Sequence, residues 1–259
     1  MEYTGIFQGG GMKGIAYIGA LLALEENGYY CKRAAGSSIG AVFAGLLASG
    51  YKATELLKII DRFDFSKLVK KENSKIKGIL FDKGMYSLVN IENEIAYLLS
   101  LKGVYTFSDL EYKNSTILKV TGTMLGTNKT IIFPDNLPLF GINPRLFNVA
   151  KAITMSASFP IYFKPFKLIN NYILDGGITN NFPFEVFDYN QDDIVIGFKI
   201  IDNEKKYIPS FINIININTK GTKVLNFQIS TEEKIKLIEK GYVEGLKMVT
   251  KLNQIYKQN

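Results

Sequence analysis

"GIFQGGGMKGIAYIGALLALEENG" (residues 5–28) decides how the chain is read. It starts as a short apolar run, passes through three consecutive glycines and continues with Ile15, Ile18, Leu21, Leu22 and Leu24 on most sides of a helical wheel. This spacing predicts a buried strand over residues 3–8 and a helix over residues 12–26, ended by Asn27 and Gly28 as a C-cap. Gly9-x-Gly11-x-x-Gly14 also matches the dinucleotide fingerprint. A glycine turn before a helix aims backbone N–H groups at negative charge, so it suits either a cofactor pyrophosphate or an anion that exists only during a reaction.

The next segment separates the two. A dinucleotide site needs a carboxylate about 20 residues on to hold the ribose, but the chain there reads Lys32, Arg33, Ala34, Ala35, and only Arg33 could meet a 2′-phosphate. No Gly-Lys-Ser/Thr follows the loop, which excludes a P-loop. Instead the second strand, "CKRAAGSS", ends in Gly36-Ser37-Ser38-Ile39-Gly40, a G-x-S-x-G entering the small-residue helix "SIGAVFAGLLASG". Between strand and helix this is a nucleophile elbow, in which Gly36 and Gly40 permit the tight turn that exposes the Ser38 hydroxyl. Acyl transfer by a serine generates an oxyanion, and the amides of Gly10, Gly11 and Ile39 are candidate donors. Lys13, in the first turn of the helix, fits either an anionic group nearby or plain exposure to water.

The chain of 259 residues contains no histidine and a single cysteine, Cys31. A Ser-His-Asp triad is therefore excluded, and a structural zinc site has too few ligands; no metal and no cofactor is expected. No Ser-x-x-Lys surrounds Ser38, so a carboxylate must take its proton. Asp175, in "YILDGGITNNFP", ends an expected strand and precedes Gly176 and Gly177. Asp-Gly is commonly a mere turn. However, parallel sheets gather active residues at the carboxyl ends of strands, where Ser38 also lies.

Further along, residues 54–63 read as a helix and "KLVKKENSKIKG" (67–78) as a lysine-rich solvated loop, with a lid or membrane flap as the alternative. "STILKVTGTMLGTNKTIIF" reads as a hairpin turning at Gly126-Thr127-Asn128, and "NVAKAITMSASF" as a helix stopped before Pro160. "KLINNYILDGG", "DDIVIGFKI" and "FINIININT" read as strands. Ser230-x-x-Glu233 is a capping box opening a long helix whose apolar stripe is Ile235, Ile238, Tyr242, Leu246 and Val249. That stripe is expected to pack on the flank of the fold, with membrane contact as the secondary reading. No repeat or linker divides the chain, so residues 1–259 are expected to form a single α/β domain with a mostly parallel sheet, its motifs within about 3–200.

Net charge is +7, carried by lysine, with Arg33, Arg62 and Arg145 the only arginines. The surplus favours contact with an anionic surface, a membrane face in particular, or is simply a lysine-rich solvated surface; no nucleic-acid module accompanies it. No signal peptide and no apolar stretch near the roughly 20 residues of a membrane span are visible. A cytoplasmic, peripherally membrane-associated protein is expected.

Gly9-Gly10-Gly11-Met12-Lys13-Gly14, Gly36-Ser37-Ser38-Ile39-Gly40 and Asp175-Gly176-Gly177 together resemble the patatin-like phospholipases. "ITMSASFPIYFKPF" and "ITNNFPFE" resemble the segments flanking that family's aspartate. The resemblance runs over about residues 3–200. It implies a three-layer α/β/α fold related to the α/β-hydrolases, and metal-independent hydrolysis of acyl esters in phospholipids or related lipids. It further implies Ser38 as nucleophile, Asp175 as base and Gly9 to Gly11 as oxyanion loop, with Lys13 where the family often has arginine. The activity expected is that of a serine lipid acyl hydrolase. The alternatives are a lipid-binding or storage protein with little turnover, or an acyltransferase using the same acyl-enzyme.

Overall fold

The computed structural model describes residues 1–62, 88–160, 162–200 and 207–256. β1 (Glu2–Phe7) leads through a 3-10 turn (Gly11–Ile15) into α1 (Ala16–Glu26), and the chain returns as β2 (Tyr30–Gly36), parallel to β1. Gly28, at φ 82°, makes the left-handed turn after α1 that a side chain would resist. α2 (Ile39–Ala48), α3 (Ala53–Arg62) and α4 (Val89–Ser100) follow. A two-residue pair, β3 (Glu111–Tyr112) with β4 (Ser115–Thr116), precedes β5 (Leu118–Met124), β6 (Lys129–Phe133) and α5 (Val149–Ser156). Next come β7 (Phe166–Leu168), β8 (Asn171–Asp175), β9 (Val195–Lys199), β10 (Ile212–Asn216) and α6 (Thr231–Tyr256). The lysine-rich stretch 67–78 lies outside the described residues.

The main sheet runs β10-β9-β1-β2-β5-β8-β7, with β6 also on β5. β10, β9, β1, β2 and β5 are mutually parallel, while β6 and β8 are antiparallel to β5. On one face Phe7 stacks on Phe198 with ring centroids 4.4 Å apart, and Tyr17 of α1 meets both edge-on. On the other, Ile6, Ala35, Val195 and Ile212 pack against Phe182, Val186 and Phe187.

Pairing along β5 sets the site. Ala34–Gly36 of β2 pair with Leu118–Val120, and Asp175–Ile173 of β8 pair with Gly122–Met124. β6 pairs with Val120 through Met124 and so occupies the other edge throughout. β2 and β8 therefore share one edge of β5 and meet head to head, their carboxyl ends separated by one β5 residue. "KLINNYILDGG" is not one strand: it folds back at Ile169 and Asn170 into the antiparallel β7–β8 hairpin. Asp175 thus reaches the carboxyl end of β2 on an antiparallel strand arriving from beyond it, and not on a parallel strand as expected.

The hydroxyl of Ser230 accepts the N–H of Glu233 at 3.1 Å and starts α6 as expected. The buried face of α6 differs from the expected stripe. Of that stripe Val249 is buried and Ile238 packs half-buried on the core, but Ile235 and Leu246 are exposed, and the buried face runs through Leu237, Gly241, Gly245, Met248, Val249 and Leu252. Periodicity picks out apolar side chains, but this contact is made by backbone. A Cβ on Gly241 would stand 1.9 Å from the Ala16 carbonyl oxygen, and one on Gly19 would stand 1.8 Å from that of Ile238. Replacing Gly241 with valine must force the helices apart. We expect Gly241→Val to lower the unfolding free energy by about 3 kcal/mol, measured by urea denaturation, while Lys240→Ala on the exposed neighbour changes it little.

Candidate active site

The elbow is strained by construction. Ser38 lies between β2 and α2 at φ 55°, ψ −124°, a conformation that costs a residue with a side chain about 1–3 kcal/mol. The two glycines around it meet backbone: a Cβ on Gly36 would lie 2.1 Å from the Gly40 carbonyl oxygen, and one on Gly40 2.2 Å from that of Phe7. The Ser38 N–H donates to the Ser156 hydroxyl at 2.9 Å, tying the turn to the end of α5.

Ser38 Oγ donates to Asp175 Oδ2 at 2.7 Å. Residues 137 positions apart in the chain are thereby joined where β2 and β8 meet. The other carboxylate oxygen accepts the Gly177 N–H at 2.8 Å. The backbone of Asp175 is held too: its N–H donates to the Ser158 carbonyl at 3.1 Å, and its carbonyl accepts from the Thr123 hydroxyl at 2.9 Å. Asp175 is 2% exposed. Burial pushes its carboxyl up to about 6, against the pull of the Ser38 and Gly177 hydrogen bonds. Gly176 sits so close to Thr121 that a Cβ would lie 2.3 Å from its carbonyl oxygen.

The glycine loop follows β1 beside the elbow. Gly9 does not offer the donor expected of it: its N–H donates to the Asn181 carbonyl at 3.0 Å. The amides of Gly10 and Gly11, and that of Ile39 at the start of α2, have no acceptor among the described residues. Gly11 and Ile39 line one cavity together with Ser38, and Gly10 adjoins Gly11 outside that lining. Gly14 packs against Ile39, and Lys13 is half-buried on the 3-10 turn, outside the cavity lining. From Ser38 the cavity extends between α2, α3 and α4 over Phe43, Leu56, Ile95, Phe163 and Phe227. Glu94 is the one ionisable side chain among its described lining residues.

Sequence reasoning missed Ser156, Ser158, Thr123 and Asn181, which position the pair and the loop. "ITMSASFP" and "ITNNFP" carried the signal for three of them, since both stretches resemble family segments. It missed residues 224–227 altogether. The Val224 carbonyl accepts the Met12 N–H at 2.7 Å and sits 2.1 Å from where a Cβ on Gly11, at φ 56°, would be.

The raised Asp175 carboxyl has a consequence for stability. Between the unfolded value of 3.8 and about 6 the folded protein holds a proton that the unfolded chain has released. Stability from this group is therefore full below the lower value and lost as pH rises to the upper one. At 1.36 kcal/mol per pH unit the loss is about 3 kcal/mol above pH 6. Asp175→Asn should melt higher than the unsubstituted protein at pH 8, with the gap closing towards pH 4, in thermal denaturation monitored by circular dichroism.

A family model described as patatin-like phospholipase matches residues 5–188. The YqhO protein of Bacillus subtilis (strain 168) is 38% identical over 217 residues, 80% of this chain and 74% of that one. The "Probable lipid hydrolase 463L" of Invertebrate iridescent virus 6 is 25% identical over 254 residues, 92% and 86% of the two chains. Among solved structures, VipD from Legionella pneumophila superposes with a TM-score of 0.72 at 15% identity, over 96% of this chain and 67% of VipD. ExoU from Pseudomonas aeruginosa, in complex with SpcU, superposes with a TM-score of 0.55 at 20% identity, over 96% of this chain and about half (52%) of ExoU. These two likenesses concern the fold. The chain belongs to the patatin-like phospholipase family.

Proposed function

We propose that the protein is a serine lipid acyl hydrolase in which Ser38 is the nucleophile and Asp175 its base. One observation carries the reading: the 2.7 Å hydrogen bond from Ser38 Oγ to Asp175 Oδ2, where Ser38 lines an apolar cavity. Ser38 attacks the ester carbonyl as its proton passes to Asp175. The amides of Gly10, Gly11 and Ile39 receive the oxyanion, each such donor being worth about 10²–10³ in rate. The protonated aspartate gives its proton to the departing alcohol oxygen. Water then enters, loses a proton to Asp175 and attacks the acyl-enzyme, freeing the fatty acid and restoring the Ser38 hydroxyl.

The cavity supports a lipid as the acyl donor. An apolar lining takes an acyl chain, and a charged headgroup finds no cation among the described lining residues. The headgroup therefore stays outside, as it would if the chain entered from a membrane surface. Among the described residues no helix is long and apolar enough to cross a membrane. Peripheral contact is the arrangement that fits, with phospholipid as the substrate class.

Two measurements test this. Incubation with phospholipid vesicles should release fatty acid, and release should fall by about 10⁴-fold or more in Ser38→Ala and Asp175→Asn. Equal release by all three proteins would end the proposal. With a soluble ester substrate, kcat/KM should rise with pH through a value near 6, because the base form of Asp175 is the competent one.

A further inference from the structure

The β7–β8 hairpin carries a feature that the fold does not need. Its turn places Ile169 at φ 53°, a left-handed conformation that a β-branched residue rarely adopts and that asparagine or glycine supplies in two-residue hairpins. The Ile169 side chain is 49% exposed, so burial does not explain the choice. Tyr172 and Leu125 are exposed to a similar degree, at 46% and 45%. They belong to one edge: Leu125, at the neighbouring β5–β6 turn, donates its N–H to the Tyr172 carbonyl at 2.9 Å.

Charge surrounds these side chains with a single sign. Exposed Lys167 stands directly across from Tyr172, and exposed Lys129 closes the β5–β6 turn opposite Met124. Residues 121–130 and 164–174 hold Lys129, Lys164 and Lys167 and no acidic residue. Position completes the picture. β8 descends from this tip to Asp175, four residue steps or about 14 Å at strand rise. The tip therefore projects beyond the carboxyl end of β2, on the side of the sheet where Ser38 lies.

We propose that the tip, Ile169 with Tyr172 and Leu125, inserts into the interfacial layer of an anionic lipid bilayer, with Lys167 and Lys129 against its headgroups. Aliphatic and tyrosine side chains settle at that depth, and lysines are drawn by the negative surface potential. The strained turn presents an apolar side chain at the outermost point of the hairpin, where asparagine would offer none. This contact rests on the reading of the chain as an enzyme of membrane lipids, and it adds the surface that brings the site to them.

The chain has no tryptophan, so Ile169→Trp places a single fluorescent reporter at the tip. With vesicles of phosphatidylcholine and phosphatidylglycerol its emission should shift to the blue, and the shift should weaken in high salt. Ile169→Asn, which suits the left-handed turn, should have a urea midpoint at or above that of the unsubstituted protein yet partition about fivefold less onto those vesicles in sedimentation. Lys167→Gln should lose about fivefold at low salt. The contact is refuted if the unsubstituted protein does not sediment, if Ile169→Asn sediments equally well, or if the tryptophan emission of Ile169→Trp is unchanged when that protein is bound. A soluble short-chain ester keeps the two proposals apart: its Ser38-dependent hydrolysis should be the same in the unsubstituted protein and in Ile169→Asn. Vesicle binding through the tip without that hydrolysis would leave the contact standing and remove the acyl hydrolase.

Discussion

A buried carboxylate held against a serine hydroxyl is the constraint around which the molecule is arranged. Asp175 is buried, and desolvation raises its carboxyl towards neutrality. In a chain without histidine, that shift suits the carboxylate to the base role proposed for it. The cost is borne at both ends of the hydrogen bond. Asp175 is destabilised when ionised, and Ser38 sits at a positive φ. Beside it the buried Ser37 hydroxyl has no hydrogen-bond partner among the described residues. Three unfavourable features at adjacent positions persist only because the surrounding packing over-determines them.

The local signals in the sequence were sufficient wherever the structure is local. The Asn27–Gly28 helix end and the Ser230 cap are set by neighbours within a few residues and form as read, and the strand-to-helix turn at Gly36–Gly40 forms where its glycines stand. Direction and pairing are not local. The rule for parallel sheets pointed to the correct end of the sheet for Asp175, but β8 is antiparallel and gets there by sharing an edge of β5 with β2. Nothing in "YILDGG" encodes which strand will lie beside it. The N–H of Gly9 goes to Asn181, 172 positions away, which no motif spacing reveals. The α6 stripe misled because glycines, invisible to a hydrophobicity pattern, let two helix backbones touch.

The match to the family model ends at residue 188, yet the fold that holds the site does not. β9 and β10 extend the parallel part of the sheet, and Phe198 of β9 stacks on Phe7 just before the glycine loop. The Val224 carbonyl supports that loop from above, while Leu225 and Phe227 wall the cavity. α6 locks against α1, the helix that the loop opens into. Residues without a recognisable motif thus press on the glycine loop and the strand and helix that flank it. Their contribution is through shape and backbone contact, which leave little trace in residue type.

The head-on meeting of two strand ends along β5 makes that strand a gauge for the hydrogen-bonded Ser38–Asp175 pair. Insertions or deletions at either hairpin tip slide nothing along it. One residue added within β5 between Val120 and Gly122 would part the hydroxyl and carboxylate by about one strand step, roughly 3.4 Å, beyond hydrogen-bond reach. The hairpin tips can therefore change length without moving the pair, while the three-residue interval of β5 that spaces it cannot.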